Sequence, residues 1–212
     1  MDERPGAVGE DAALHRWKSI DEVKAEAVVC CRCDLCQGRT RVVFGEGPVP
    51  ARLMVIGEAP GVEEDKVGRP FVGRAGSLLN DVLSSAGVSR DDLWVTNVVR
   101  CRATRREGEA LRNRAPRPDE IRACDLWMEQ EYRFVMPTAV VCLGGVAARS
   151  VISRGFRINE SRGVWFSARN DVFAIATFHP SYISRFRTAE REGAISQMIS
   201  DFRSAADRAF SG

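Results

Sequence analysis

The chain has 212 residues, of which 44% are hydrophobic and 28% charged, and its formal net charge is +2. This length and composition favour one ordinary α/β domain with a complete core. They exclude a small scaffold that depends on disulfides or a structural metal ion for its stability. No stretch approaches the ~20 apolar residues of a membrane span, and the acidic start lacks an apolar signal core, so we expect a cytoplasmic protein without membrane contact.

The elements predicted in chain order alternate between strands and helices. The first residues, 1–12, are predicted to be a disordered tail before a single domain over 13–212, which begins with a helix at 14–29. Short apolar runs with the nearly continuous hydrophobicity of buried strands follow at 52–59, 92–99, 138–145 and 171–180. Helical patterns lie at 75–87, 118–134, 146–154 and 188–210. This alternation predicts right-handed crossovers and a parallel sheet between helices.

Polar residues of three types follow the predicted strands. Ligands of a parallel sheet bind at the carboxyl ends of its strands, where Glu58, Asn97 and His179 lie in this sequence. A carboxylate can position water, a carboxamide can read the edge of a nucleobase, and a histidine can stabilise a growing negative charge. Each alone is typical of a capping or structural residue. Together they predict an active site.

Phe71 lies within the glycine-bounded segment GRPFVG at 68–73, after the first predicted strand. An aromatic ring at this place can stack on a flat ligand, although it could instead fill the core. A pocket with an aromatic shelf, an amide and a charge stabiliser indicates a nucleobase site. Beside a basic loop, it indicates action on a base flipped out of DNA.

That basic loop lies between Arg100 and Arg122. It holds eight arginines against four acidic residues, so these twenty-three residues carry a net +4 while the rest of the chain is near −2. Contact with a phosphate backbone requires such a segment, and a solvated surface loop is the alternative explanation.

Four cysteines form two unequal pairs: the neighbours Cys30 and Cys33, and the distant Cys101 and Cys124. Two thiolates on a tight turn plus two from elsewhere suit an iron–sulfur cluster or a zinc ion, the alternative being buried structural thiols. The odd total of seven cysteines argues against a disulfide framework and for a reducing compartment.

Several motifs in the same order resemble the iron–sulfur uracil-DNA glycosylases, often called family 4. The resemblance covers roughly residues 28–186 and rests on CCRCDLCQGRTRVVFGEG (30–47), GEAPGVEEDKVGRPFVGRAG (57–76), TNVVRCR (96–102), NRAPRPDEIRAC (113–124) and FHPSYISR (178–185). It implies a three-layer α/β/α sandwich around a four-stranded parallel sheet, with a [4Fe–4S] cluster. The protein would be a monomer, and its partner would be uracil-containing DNA, single or double stranded.

The resemblance also implies residue roles. Glu58 and His179 would be catalytic, and the uracil would be held by Phe71, Asn97, Gly57 and Ala59. Glu64 and Asp65 are secondary candidates that would guard the pocket against the thymine methyl group. The expected DNA contacts are Arg105, Arg106, Arg112, Arg114, Ser181, Tyr182 and Arg185.

The cluster ligands follow from the family register, because CxxC spacing occurs both at Cys30/Cys33 and at Cys33/Cys36. Members of the family place a leucine two residues, and an arginine six residues, after the second ligand. Leu35 and Arg39 therefore make Cys33 the second ligand and Cys30 the first. The remaining ligands would be Cys101 and Cys124.

One departure from the family pattern lengthens the loop between the last two ligands, at 103–112. A related branch that bonds covalently to uracil also has a long basic loop, which supplies a histidine nucleophile. This chain has only two histidines, His15 and His179, and Asn113 stands at the corresponding position. An amide is a poor nucleophile, so we expect hydrolysis with turnover.

The sequence therefore predicts a uracil-DNA glycosylase that hydrolyses the N-glycosidic bond of deoxyuridine and leaves an abasic site for base excision repair. The alternatives are covalent capture of uracil DNA by the same fold and a non-catalytic module that binds damaged or single-stranded DNA. A zinc-stapled nucleotide hydrolase is a further one, although it would need neither cluster nor basic loop.

Overall fold

The computed structural model describes residues 16–184 and 186–210, so the predicted tail at 1–12 lies outside the described residues. The helices are α1 Ile20–Ala27, α2 Leu35–Gly38, α3 Val62–Val67, α4 Arg74–Ala86, α5 Pro118–Val135, α6 Gly144–Val151, α7 Ile158–Ser161, α8 Pro180–Ile183 and α9 Thr188–Phe210. The strands are β1 Leu53–Gly57, β2 Leu93–Asn97, β3 Thr104–Glu107, β4 Ala110–Asn113, β5 Ala139–Leu143, β6 Trp165–Ser167 and β7 Phe173–Thr177.

The main sheet has the strand order β2-β1-β5-β7-β6. The four predicted strands are parallel, with Gly57 beside Asn97 and Leu143 beside Thr177 at their carboxyl ends. The expected sheet of four strands gains a fifth, because β6 pairs antiparallel with β7 at the edge. This strand has only three residues, none of them fully buried, so it lacks the apolar run that marked the others.

Successive side chains of a strand point to opposite faces of the sheet, and both faces are covered. On one face, Met54, Ile56 and Val140 join a buried cluster with Trp127 and Met128 of α5. On the other face, strand residues such as Leu53, Val55 and Val141 pack with side chains of α4 and α9, among them Leu79, Val82, Met198 and Phe202. The predicted three-layer α/β/α sandwich is thus confirmed.

Helix boundaries follow local signals. The side chain of Ser19 caps α1 by accepting a hydrogen bond from the Glu22 N–H, so the helix begins later than the periodicity predicted. Helix α4 ends at Gly87, whose φ of +77° suits glycine. None of the described helices combines the length and apolar composition needed to cross a membrane.

The basic segment predicted to be a loop is largely an antiparallel hairpin of β3 and β4, which we call the arginine hairpin (104–113). Its turn contains Gly108 at a φ of +60°. The hairpin is anchored at its base, where the Arg114 N–H donates to the Ala103 carbonyl at 3.0 Å. Most of its residues are exposed, so the hydrophobic alternation that indicates a strand is missing.

Candidate active site and cysteine site

A cavity of about 670 Å³ opens at the carboxyl end of the sheet. The ends of all four parallel strands contribute to it, through Glu58 and Ala59 after β1, Asn97 at the end of β2, Gly144 after β5 and His179 after β7. The structure thus brings the three polar residues of the predicted rim into one cavity. Phe71, Glu64, Ser181 and Tyr182 line it as well.

Gly57 does not line the cavity, but its lack of a side chain shapes it. A Cβ at this position would overlap the ring of Phe71 and the Oδ1 atom of Asn97. The Gly57 carbonyl accepts a hydrogen bond from the Val98 N–H at 2.9 Å, which fixes the two strand ends together. Any larger residue would push the aromatic ring and the amide apart.

Phe71 has a strained backbone, with a φ of +51°, and its side chain is 6% exposed. Arg90 holds this conformation by donating to the carbonyls of Pro70 (2.7 Å) and Phe71 (3.3 Å). The Phe71 ring centroid lies 6.1 Å from that of His179, and the ring planes are tilted by 36°. Burial makes Phe71 part of the core, while its place on the cavity wall leaves it able to face a ligand.

The two secondary acidic candidates have different surroundings. Glu64 lines the cavity, and its carboxylate accepts hydrogen bonds from the N–H groups of Gly61 (3.1 Å), Val72 (3.0 Å) and Gly73 (2.8 Å). Asp65 points elsewhere and accepts from the Thr40 N–H at 2.9 Å. The expectation that Asp65 guards the pocket is therefore corrected, since this residue ties down the segment after the CxxC turn.

His179 caps α8, and its Nδ1 accepts a hydrogen bond from the Ser181 N–H at 3.2 Å. Burial lowers the pKa of His179 to about 4, although the negative charge of Glu64 opposes this shift. The ring is therefore neutral near pH 7, and because Nδ1 is an acceptor, the proton is on Nε2. Ser181, expected to contact DNA, positions this ring, and its hydroxyl lies 2.8 Å from Nδ1.

Burial raises the pKa of the Glu58 carboxyl, and the positive charge of Arg149 opposes this shift. Arg149 belongs to α6 and lines the same cavity, but sequence reasoning did not identify it. Its only signal was a basic residue in the helix that follows a strand end. Asn113 and Ala115, at the base of the arginine hairpin, are further lining residues that were not predicted.

Three of the predicted DNA contacts, Arg105, Arg106 and Arg112, project from the arginine hairpin and are exposed. Arg105 and Arg112 lie near Glu107, but their side chains remain 63% and 67% exposed. Tyr182 is also exposed, at 45%, and its ring packs against Phe186 at a centroid distance of 4.8 Å. Arg185 lies outside the described residues.

Arg114 differs from the other hairpin arginines. It donates to both oxygens of the fully buried Glu120 carboxylate (2.7 and 2.6 Å) and to the carbonyls of Thr104 and Ala115. Four of its five N–H donors are thus used inside the protein. Arg114 also lines the cavity, between Asn113 and Ala115, so phosphate contact stays a prediction for this residue. The structure adds a second role, in which Arg114 joins the hairpin to the start of α5.

The four predicted ligand cysteines line a second, small cavity between α1, α5 and the segment before the hairpin. Cys36 does not line it. The Arg39 guanidinium donates to Cys101 Sγ at 3.4 Å, and the Arg100 backbone N–H donates to Cys124 Sγ at 3.3 Å. Burial raises the pKa of the Cys101 thiol to about 12 and that of Cys124 above its ordinary value. In the described part of the chain, no three His, Cys, Asp or Glu side chains are grouped closely enough to hold a metal ion.

A model of the uracil DNA glycosylase superfamily matches residues 44–203. The type-4 uracil-DNA glycosylase of Thermotoga maritima is 37% identical over 182 residues, covering 84% of this chain and 90% of that protein. The type-4 enzyme of Sulfurisphaera tokodaii is 38% identical over 171 residues, or 77% of this chain and 74% of that protein.

More distant similarities agree with these. The type-5 uracil-DNA glycosylase of Thermus thermophilus is 34% identical over 161 residues, covering 66% of this chain and 69% of that protein. The solved structure of SMUG2 from Pedobacter heparinus superposes with a TM-score of 0.52 at 14% identity, covering 73% of this chain and 75% of that one, and supports the fold alone. The chain belongs to the type-4 family of the uracil-DNA glycosylase superfamily.

Proposed function

We propose that this uracil-DNA glycosylase hydrolyses the N-glycosidic bond of deoxyuridine in DNA, releasing uracil and leaving an abasic site for base excision repair. The observation that carries this proposal is the convergence of Glu58, Phe71, Asn97 and His179 on one cavity at the end of the sheet. The family and the chemistry of these side chains support the same reaction.

Recognition of the base depends on Phe71 and Asn97. The flipped uracil stacks on the Phe71 ring, and the Asn97 side chain, only 2% exposed, bonds to its edge. An amide N–H that donates to the uracil O4 atom would oppose the 4-amino group of cytosine. A Cβ at position 57 would overlap both side chains, so glycine at this position allows the ring and the amide to lie close to the end of β1.

Bond cleavage depends on His179 and Glu58. As the bond stretches, the sugar acquires oxocarbenium character and the uracil becomes an anion. The Nε2–H of neutral His179 donates to uracil O2, and Glu58 positions the water that attacks the sugar and balances its positive charge. Arg149 favours the ionised carboxylate that this role requires. A preorganised donor of this kind contributes about 3–4 kcal/mol to transition-state stabilisation.

Contact with the DNA backbone is the role of the exposed hairpin arginines, Arg105, Arg106 and Arg112, with Tyr182 beside the cavity mouth. Asn113 at the base of the hairpin lines the cavity, which supports a role for the neighbouring basic surface in holding the DNA beside the flipped base. These contacts are to phosphate and carry no information about sequence.

Cys30, Cys33, Cys101 and Cys124 hold a [4Fe–4S] cluster in this proposal. Four thiols line one cavity, and the similarity to type-4 enzymes supports a cluster over a single zinc ion. N–H donors to the sulfurs of Cys101 and Cys124 are typical of such clusters. A bound cluster would supply a structural cross-link between α1, α5 and the base of the arginine hairpin.

The odd number of cysteines, seven, supports a reducing compartment, and we place the enzyme in the cytoplasm. We propose that it acts as a monomer, because one chain supplies every residue of the site.

The test uses a labelled oligonucleotide with one deoxyuridine, incubated with a substoichiometric amount of protein and then heated in alkali to cleave abasic sites. Cleaved product should exceed the enzyme several-fold, and the same oligonucleotide with thymidine should remain intact. A band shifted by protein after boiling in detergent would instead indicate covalent capture. Binding without either product would indicate a non-catalytic module.

A further inference from the structure

Arg100 is a buried charge that the proposed chemistry does not use. Its side chain is 1% exposed, and it is the largest of the fully buried side chains in the described part of the chain. It follows β2 by three residues and directly precedes Cys101. A buried guanidinium requires partners, because desolvation of an unpaired charge costs several kcal/mol.

One end of this residue faces the cysteines. The backbone N–H of Arg100 donates to Cys124 Sγ at 3.3 Å, and Arg100 lines the cysteine cavity together with Cys33 and Cys101. The Arg100 Nε–H has no hydrogen-bond partner among the described residues, although it is fully buried. A sulfur atom of a bound cluster would be a suitable acceptor for this donor.

The other end holds the strand that carries the base reader. Arg100 Nη1 donates to the backbone carbonyls of Asn97 at 2.8 Å and Val98 at 3.1 Å. The same segment is bonded to the catalytic strand, since the N–H groups of Val98 and Val99 donate to the carbonyls of Gly57 and Glu58. The guanidinium thus holds the turn after β2 by its backbone carbonyls.

Glu131 of α5 completes the arrangement. It is fully buried, its Oε2 lies 2.6 Å from Arg100 Nη2, and its Oε1 accepts from Thr96 Oγ1 at 3.1 Å. Cys124 lies seven positions earlier on the same helix, so α5 contributes both a cluster ligand and the counterion of Arg100. A buried ion pair is weak evidence for stability, but it does fix geometry.

We infer that Arg100 is a positioning residue that couples the cluster to uracil recognition: the occupied cysteine site fixes Arg100, and Arg100 fixes the carbonyl of Asn97 and hence its amide. This rests on the proposed function for the cluster and for Asn97. Loss of the cluster or of the guanidinium then impairs discrimination between uracil and cytosine in a protein that is still folded.

The test compares Arg100→Lys with Arg169→Met. Lysine keeps the charge but cannot reach two carbonyls and Glu131 at once. Arg169 pairs with Asp125 of the same helix at 2.7 and 2.9 Å and does not line either cavity, so it controls for the removal of an ion pair on α5. Should Arg100→Lys not fold, Arg100→Met with Glu131→Gln, which removes both charges, replaces it.

Three readouts are needed: visible absorbance of the cluster, melting temperature, and relative affinity for two hydrolysis-resistant oligonucleotides that carry 2′-fluorinated deoxyuridine or deoxycytidine. We expect Arg100→Lys to retain most of the cluster absorbance. The ratio of its affinities for the uracil and cytosine oligonucleotides should fall about 10- to 100-fold, which is the size of effect that the loss of hydrogen bonds from a charged donor produces. Affinity for abasic DNA should not change, because Arg100 is buried. Arg169→Met should melt earlier but keep the preference.

Failures of the inference and of the proposed function are distinguishable. Wild-type protein that is colourless or does not excise uracil would remove the proposed function. A brown, active wild type with an Arg100→Lys variant of unchanged uracil preference would overturn the coupling alone. A loss of preference in both variants in proportion to their melting temperatures would also overturn it, since that pattern indicates general destabilisation.

Discussion

The cavity and the arginine hairpin lie side by side, but they are built differently. In the cavity, Arg90 fixes the backbone of Phe71, the N–H of the nearby Ser181 fixes the His179 ring, and Asn97 is 2% exposed. On the hairpin, the side chains of Arg105 and Arg112 are more than half exposed. A fixed arrangement suits discrimination between bases, whereas exposed charges suit contact with any phosphate backbone. Base selectivity and DNA affinity should therefore be separable by mutation.

The largest effect on the stability of the protein is expected at the cysteine site, which adjoins the base of the arginine hairpin. Replacement of Cys30, Cys33, Cys101 or Cys124 by alanine should bleach the brown protein and lower its melting temperature, because the cross-link at the base of the hairpin is removed. Cys36→Ala is the matched control and should keep the colour, since Cys36 does not line the cysteine cavity. A bleached Cys36→Ala beside a brown Cys30→Ala would reverse the ligand assignment.

A change confined to the cavity should affect excision and not affinity. Asn97→Asp places an acceptor where the uracil edge requires a donor, so single-turnover excision of uracil should fall about 10²–10³-fold. The new acceptor suits the 4-amino group of cytosine, so the variant should gain weak removal of cytosine. Asn159→Asp makes the same change elsewhere on the cavity wall and should have little effect. Excision of uracil at the wild-type rate by Asn97→Ala would show that another group reads the base.

The pH dependence should report the environment of the cavity. Because burial lowers the pKa of His179 to about 4, its ring should remain neutral with the proton on Nε2 at pH 5 and above. Between about pH 6.5 and pH 4 the unfolded chain binds more protons at this residue than the folded one, so stability should fall as the pH falls. Nitrogen NMR of a His15→Gln variant, which leaves one histidine, measures this directly. An Nδ1–H tautomer, or titration near pH 6.5, would contradict the assigned role.

The smallest effect on the chemical step is expected from the hairpin. Changing Arg105, Arg106 and Arg112 to serine should weaken binding to all sequences alike and reduce the salt slope on duplex DNA by about 0.9 for each phosphate that is no longer neutralised. Arg203→Ser removes an exposed arginine from α9, which does not line the cavity, and should leave the slope unchanged. Arg114→Ser should lower the melting temperature more than the salt slope, because its donors bind Glu120 and nearby carbonyls.

Much of the fold could be predicted because buried parallel strands and amphipathic helices have strong patterns. Helix α9 was predicted over 188–210 and occupies Thr188–Phe210. The three polar groups of the rim were predictable because the carboxyl ends of parallel strands meet at one edge. The arginine hairpin and β6 were missed, since short exposed strands carry no hydrophobic alternation.

Contacts between distant segments were not predictable from charge alone. Arg105 and Arg114 look equivalent in the sequence, but only Arg114 has the buried Glu120 as its partner. The roles of Arg90 under Phe71 and of Arg149 near Glu58 likewise depend on how a helix or loop packs against the strand ends. Asp65 and Glu64 are adjacent, but only one of them faces the cavity because successive helical positions point in different directions.

The most direct test of the separation between the two regions is the single-turnover excision rate at saturating enzyme, measured on one uracil oligonucleotide for the triple hairpin variant and for Asn97→Ala. We expect the hairpin variant to reach nearly the wild-type rate once enough enzyme is added, and Asn97→Ala to remain far below that rate at every concentration. A hairpin variant that stays slow at saturation while Asn97→Ala recovers the wild-type rate would contradict this expectation.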